Sequence, residues 1–238
     1  MPELSLGTET IPYEIRMSPR RRTMAVKVEP SGEVIVFAPR FSLPFAIRRF
    51  VERQAGWISA TRRKILEYAR RHPRPEYRQG ESFLFLGREV SLDVQVTGVR
   101  RYRPGKFLGG KLSIGIPNAG LESVKRVVRL TYEAATLRLV TRFVKRHAKS
   151  LGVRPASIKI SRARGRWGSC SRGCRLRFNW RLAMAPLGVI EYLAVHEICH
   201  IKVPGHSRRF WGAVEGLLPG YRPWRRWLRD NGPRLMGY

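Results

Sequence analysis

Apolar and polar residues alternate between positions 11 and 39: Ile11, Tyr13 and Ile15, then Met24, Val26 and Val28, then Val34 and Val36. A period of two gives a strand one apolar face, and Pro30-Ser31-Gly32 marks a turn between strands. The period changes after Ser42-Leu43-Pro44. Ile47, Phe50, Val51, Trp57, Ile58 and Ile65 recur at helical spacing. They predict one helix, with Ser42 as N-cap and Pro44 in its first turn, running to about Arg71 ahead of Pro73. Strand-like segments return at Ser82–Leu86, Arg88–Val96, Arg100–Phe107 and Lys111–Ile116, punctuated by Gly80, Gly87, Gly98 and Gly109-Gly110.

Leu121 to about Leu151 reads as a second long helix, closed by Gly152 as its C-terminal cap. Ser157–Ser161 and Arg175–Arg181 read as strands joined by a Gly- and Arg-rich segment. Pro186–Val203, His206–Leu218 and Pro223–Asp230 read as three further helices. The expected fold class is α+β: a β-rich N-terminal part with a long helix, then a helix–hairpin–helix core. The boundary is expected near Pro117-Asn118, dividing the chain into residues 1–117 and 118–238. No internal repeat is visible.

The helix from Pro186 carries the most specific signal, His196-Glu197-Ile198-Cys199-His200 followed by His206. Residues four apart lie above one another on a helix, so two imidazoles reach one metal. The Glu between them borders the same face and is placed to act as general base on an activated water. Pro204-Gly205 breaks the helix and turns the chain, bringing His206 within reach as third ligand. Glu215 is the competing third ligand. Cys199 reads as a small buried filler. Trp167, Trp180 and Trp211 are candidates to line a cleft, with core packing the expected role for at least two of them.

Composition narrows the setting. No apolar run reaches the roughly 18 residues of a membrane span. Met1–Ile11 lacks a signal-peptide pattern, and Cys170, Cys174 and Cys199 make no disulfide framework, which reads as cytoplasmic. Net charge is +30, and Arg supplies 38 of the 47 basic residues. Arginine binds phosphate in a bidentate fork, so nonspecific nucleic-acid binding through the basic surface is expected. Arg162, Arg164, Arg166, Arg172, Arg175, Arg177 and Arg181 precede the zinc helix.

These residues resemble a known family. Arg166-Trp167-Gly168-Ser169-Cys170-Ser171, Arg177-Phe178-Asn179-Trp180-Arg181-Leu182, Ala185-Pro186, Glu191-Tyr192, the His-Glu-x-x-His run, Gly205-His206-Ser207 and Phe210-Trp211 are similar to the YgjP-like metal-dependent hydrolases. That family looks related to the SprT-like proteases. The resemblance covers nearly the whole chain. It implies a β-rich N-terminal part and a zincin-like C-terminal part, with His196, His200 and His206 as zinc ligands and Glu197 as catalytic base. Gly205 departs from the Asn expected there. A metzincin pattern is disfavoured because Val203 occupies its glycine position.

The function expected is a zinc-dependent hydrolase with one Zn(II) per chain, a metallopeptidase acting on peptides. Two alternatives stand beside it. One is a nucleotide phosphohydrolase of the nucleoside triphosphate pyrophosphatase type, and the other a basic nucleic-acid-binding protein with a vestigial zinc site. A peptidase needs a groove with a free strand edge, and a nucleotidase a closed basic pocket. Arg166 and Asn179 are candidate oxyanion stabilisers. Arg175 and Arg177, on Asn179's side of the strand by alternation, are candidate substrate contacts.

Overall fold

The alternation over residues 11–39 becomes a four-stranded sheet. The computed structural model describes residues 2–6, 9–29, 31–71, 73, 75–98, 101–163 and 165–238. β1 (Glu3–Leu6), β2 (Glu9–Ser18), β3 (Ala25–Val28) and β4 (Val34–Pro39) are ordered β1-β2-β4-β3, with β2 and β4 parallel and the outer pairs antiparallel. Tyr13 pairs with Val34 and Ile15 with Val36, so apolar side chains share a face. Ile47, Val51, Ala55 and Ile58 close the core over it.

Those four residues come from two helices, α1 (Pro44–Arg53) and α2 (Ala55–Arg71), where one was expected. The break is at Gln54 (φ −95°, ψ 3°), whose N–H is shared between the Phe50 and Val51 carbonyls. Gly56 follows and adds little helix preference of its own. The N-cap is Leu43 instead of Ser42. Proline forces the residue before it into extended backbone, so the helix begins at Pro44 and the cap falls on its neighbour.

The same topology recurs downstream. β5 (Ser82–Phe85), β6 (Arg88–Val96), β7 (Lys106–Leu108) and β8 (Lys111–Ile116) are ordered β5-β6-β8-β7, again with the central pair parallel. The strand expected from Arg100 is shorter, and residue 100 itself lies outside the described residues. Pro104 has no N–H for a ladder, and the Gly105 N–H goes to Thr131 Oγ1 at 2.7 Å.

This second sheet does not separate from the long helix after it. Phe83, Leu92, Leu112, Ile114 and Ile116 share one core with Val124, Val127 and Tyr132 of α3 (Leu121–Leu151). Tyr132 donates to the Leu84 carbonyl at 2.6 Å, and the Leu86 and Gly87 N–H groups reach the Ala183 and Met184 carbonyls. The compact units are Met1–Arg74 and Pro75–Tyr238, in place of a division after residue 117. A cut at 117 would strip α3 from the sheet it covers.

Within the second unit, β9 (Ser157–Ser161), β10 (Gly168–Cys170) and β11 (Arg175–Asn179) form a sheet ordered β10-β11-β9. The strand expected to reach Arg181 stops at Asn179, whose Oδ1 accepts the Arg181 N–H and caps a 3-10 turn over Trp180–Met184. α4 (Leu187–Lys202), α5 (Arg208–Leu217) and α6 (Arg222–Met236) complete the unit. α4 buries Val189, Ile190, Leu193, Ala194, Val195 and Ile198, as its apolar run requires. His147 of α3 meets Glu191 of α4 at 2.7 Å and ties the two helices together. Among the described residues, no helix is long and apolar enough to cross a membrane.

Candidate metal centre

The four-residue spacing on α4 brings His196 and His200 together, with Nε2 atoms 3.2 Å apart. Val203 leaves the helix in extended backbone (φ −129°, ψ 98°), and Pro204 follows. Gly205, at φ +76°, then reverses the chain. That turn returns His206, whose Nε2 lies 3.1 Å from that of His196. Left-handed backbone suits glycine and tolerates asparagine, so Gly205 satisfies the same turn as the Asn expected there.

The three ligand atoms all lie within 4.8 Å of one another. Tetrahedral zinc about 2.0–2.1 Å from each nitrogen would space them roughly 3.3–3.4 Å apart, close to the separations from His196. The donor set fits as well. His200 Nδ1 faces the Val203 carbonyl at 3.4 Å. A carbonyl only accepts, so Nδ1 carries the proton and Nε2 presents its lone pair. Glu215 is not part of the cluster; near the end of α5 it accepts the Gly220 N–H at 3.4 Å. Cys199 is fully buried in the core, and burial pushes its thiol up to about 11.

Glu197 is 4% exposed and, among the described residues, makes no hydrogen bond or ion pair. Burial pushes its carboxyl up to about 8. A methyl group at Gly168 would collide with the Glu197 carboxylate, so β10 passes this close only as glycine. Burial, followed by the neighbouring His200, His206 and Arg225, pushes His196 down to about 3. Burial also lowers His200. Neutral imidazoles are the form a metal requires.

Aromatic rings frame the imidazoles. Ser207 caps α5 by accepting the Phe210 N–H, which sets where that helix begins. Phe210 then stacks on His200 at 4.4 Å, and Trp211 on His206 at 5.7 Å. Tyr192, one turn before His196, stands edge-on to it at 5.8 Å. Trp180 instead packs in the core against Tyr132.

The remaining candidates fall elsewhere. Asn179 is fully buried, its amide donating to the Ala163 and Arg166 carbonyls at 2.6 and 3.1 Å. Both contacts hold the loop before β10, so it has no amide hydrogen left for an oxyanion. Arg166 is exposed, and Arg164 lies outside the described residues. Arg175 and Arg177 are exposed on β11, alternating with buried Leu176 and Phe178. Gly168, whose missing side chain would point at Glu197, pairs with Phe178, whereas Arg177 pairs with Ser169. Paired residues share a face, so these arginines project from the face opposite Glu197. They build no closed basic pocket of the kind a nucleotide phosphohydrolase needs.

A histidine cluster that could hold a metal ion thus lies beside a buried glutamate, on a helix packed against a small mixed sheet. The family model described as YgjP-like, metallopeptidase domain, matches residues 22–231, and the chain belongs to that family. It is therefore a metallopeptidase-type hydrolase, whose family implies a metal ion and a peptide substrate. Among solved structures, the metallopeptidase zymogen abylysin of Pyrococcus abyssi aligns at 19% identity and a TM-score of 0.35, over 38% of this chain and 93% of that one. No curated protein matches the chain.

Proposed function

We propose that the chain is a zinc-dependent metallopeptidase, with one Zn(II) per chain on His196, His200 and His206 and with Glu197 as general base. One observation carries the reading: three imidazole nitrogens converge beside a buried carboxylate that has no hydrogen-bond or ion-pair partner among the described residues. When bound, the metal supplies Lewis acidity at the scissile carbonyl and lowers the pKa of water to about 7. Glu197 takes the proton of the attacking water and returns it to the leaving amine.

The free edge of β10 supports a peptide substrate. The Trp167 carbonyl accepts the Asn179 N–H, and the Ser171 N–H reaches the Arg175 carbonyl. In an antiparallel pair such bonds alternate, so Trp167, Ser169 and Ser171 turn toward β11. The N–H and C=O groups of Gly168 and Cys170 are left facing the other edge, which no strand occupies among the described residues. An extended peptide adds to such an edge through its backbone, beside Glu197.

The test is hydrolysis of a peptide pool by zinc-loaded protein, with Glu197→Gln as the comparison. Glutamine keeps the shape and cannot take the proton. Turnover is expected to fall about 10²–10⁴-fold with zinc content unchanged. Equal turnover by the two proteins would remove Glu197 as base.

A further inference from the structure

Beside the metal centre lies an open pocket of about 410 Å³, whose lining includes Trp167, Tyr192, Arg225, Leu228 and Met236. It touches the site from two directions. Tyr192 sits one helical turn before His196 on α4, and Trp167 immediately precedes Gly168, the residue that passes Glu197. A pocket so placed meets a substrate side chain within a residue or two of the bond being cut, given about 3.3 Å of extended chain per residue.

Its walls are chemically two-sided. Trp167, Leu228, Pro233 and Met236 supply apolar surface, and among the described residues no acidic one lines it. Two arginines do. Arg229 is held by Asp230, with Nε 2.8 Å from Oδ1. Arg225 has no ion pair among the described residues, and its guanidinium lies over the Trp211 ring at 4.2 Å. That stacking holds a planar donor fork in place with its charge uncompensated, the state in which arginine binds carboxylate best.

We propose that this pocket is a substrate subsite for a residue combining an apolar body with a carboxylate, the body against Trp167 and Leu228 and the carboxylate on Arg225. The proposal rests on the peptidase reading above and adds the substrate class. Two sources supply such a carboxylate, the C-terminus of a peptide ending in an apolar residue or the side chain of an internal glutamate.

Two readouts test it. The first is equilibrium binding, by calorimetry, of N-acetyl-phenylalanine, its amide, and the α-amide of N-acetyl-glutamate. Wild-type protein is expected to prefer an acid over the amide by about tenfold, as an added charge-assisted hydrogen bond predicts. Whichever acid binds names the source. Arg225→Gln should abolish the preference, and Arg225→Glu should reverse it toward the amide. The second is the ratio of kcat/KM for peptides that differ only in that carboxylate, expected to collapse in the same variants. An acid preference that survives in Arg225→Gln, or that is absent from the wild type, overturns the subsite. Binding does not depend on turnover, so a protein that cleaves no peptide would defeat the peptidase reading while the binding ratios still decide the pocket.

Discussion

One face of the β10–β11–β9 sheet looks onto Glu197; the other carries Lys159, Arg175 and Arg177 in the open. Lys159, Arg175 and Arg177 alternate with Ile158, Ile160, Leu176 and Phe178, so the outer face is basic and solvated and the inner face apolar. The arginines are hydrated and interchangeable with other surface charge. Glu197 is largely shielded from water, and no hydrogen-bond partner among the described residues makes up for it, so its proton affinity rises. Burial, more than charge density, separates Glu197 from the surface arginines. The arginines of β11 that precede α4 lie on the other face.

The largest effect expected on the inner face is loss of metal. His196→Ala and His200→Ala should each reduce zinc from one per chain to near zero after dialysis, measured by elemental analysis. His206→Ala should weaken binding. A full complement of zinc in either helix variant would leave the inner face without its defining chemistry. Gly168→Ala should come next. Its methyl group displaces the Glu197 carboxylate, and misplacement on the ångström scale costs about 10²-fold in kcat, with zinc unchanged. Ser169→Ala, on the outer face, should stay within about twofold, and equal losses in the two variants would erase the distinction between faces.

Stability against pH sharpens the contrast in metal-free protein. The Glu197 carboxyl is raised from 4.5 to about 8 on folding, so the folded state binds its proton more tightly than the unfolded chain. Its contribution is therefore complete below about 4.5 and is lost as pH rises toward 8, on the order of a few kcal/mol. Thermal midpoints of wild type and Glu197→Gln should diverge across that window, with the variant flatter; parallel curves would mean that Glu197 is better solvated than its burial implies. The smallest effect belongs to the outer face. Replacing both Arg175 and Arg177 with Gln should leave kcat/KM within about twofold and stability within about 0.5 kcal/mol. Any polyanion affinity should lose about one unit of salt slope per lost contact. A tenfold fall in peptide turnover would return these arginines to the active site.

The two four-stranded sheets show how far pattern reading reaches. β2, β4, β6 and β8 follow visible alternation, yet their shared order and parallel central pairing do not appear as a sequence repeat. Topology is set by which strands pair, and many side-chain sets fill the same arrangement. One sheet keeps a core of its own with α1 and α2, whereas the other merges with α3 and α4. Nothing in the local periodicity of Phe83 or Leu112 distinguishes these outcomes. β10 is not legible as a strand because Gly168-Ser169-Cys170 has no alternation to read, although the glycine beside Glu197 is a signal in its own right.

Local geometry is what the chain wrote openly. α3, with Gly152 at its left-handed cap, and the convergence of His196 with His200 follow from helical period, and the return of His206 from Pro204-Gly205, because each depends on bonds only a few residues apart. The tertiary structure alone decided the rest: that Asn179 would spend its amide on a loop, that Arg175 and Arg177 would face away from Glu197, and that Arg225 would arrive beside the pocket from α6. Those outcomes depend on contacts between residues far apart in sequence, where packing and desolvation, and not local backbone preference, fix what a side chain meets.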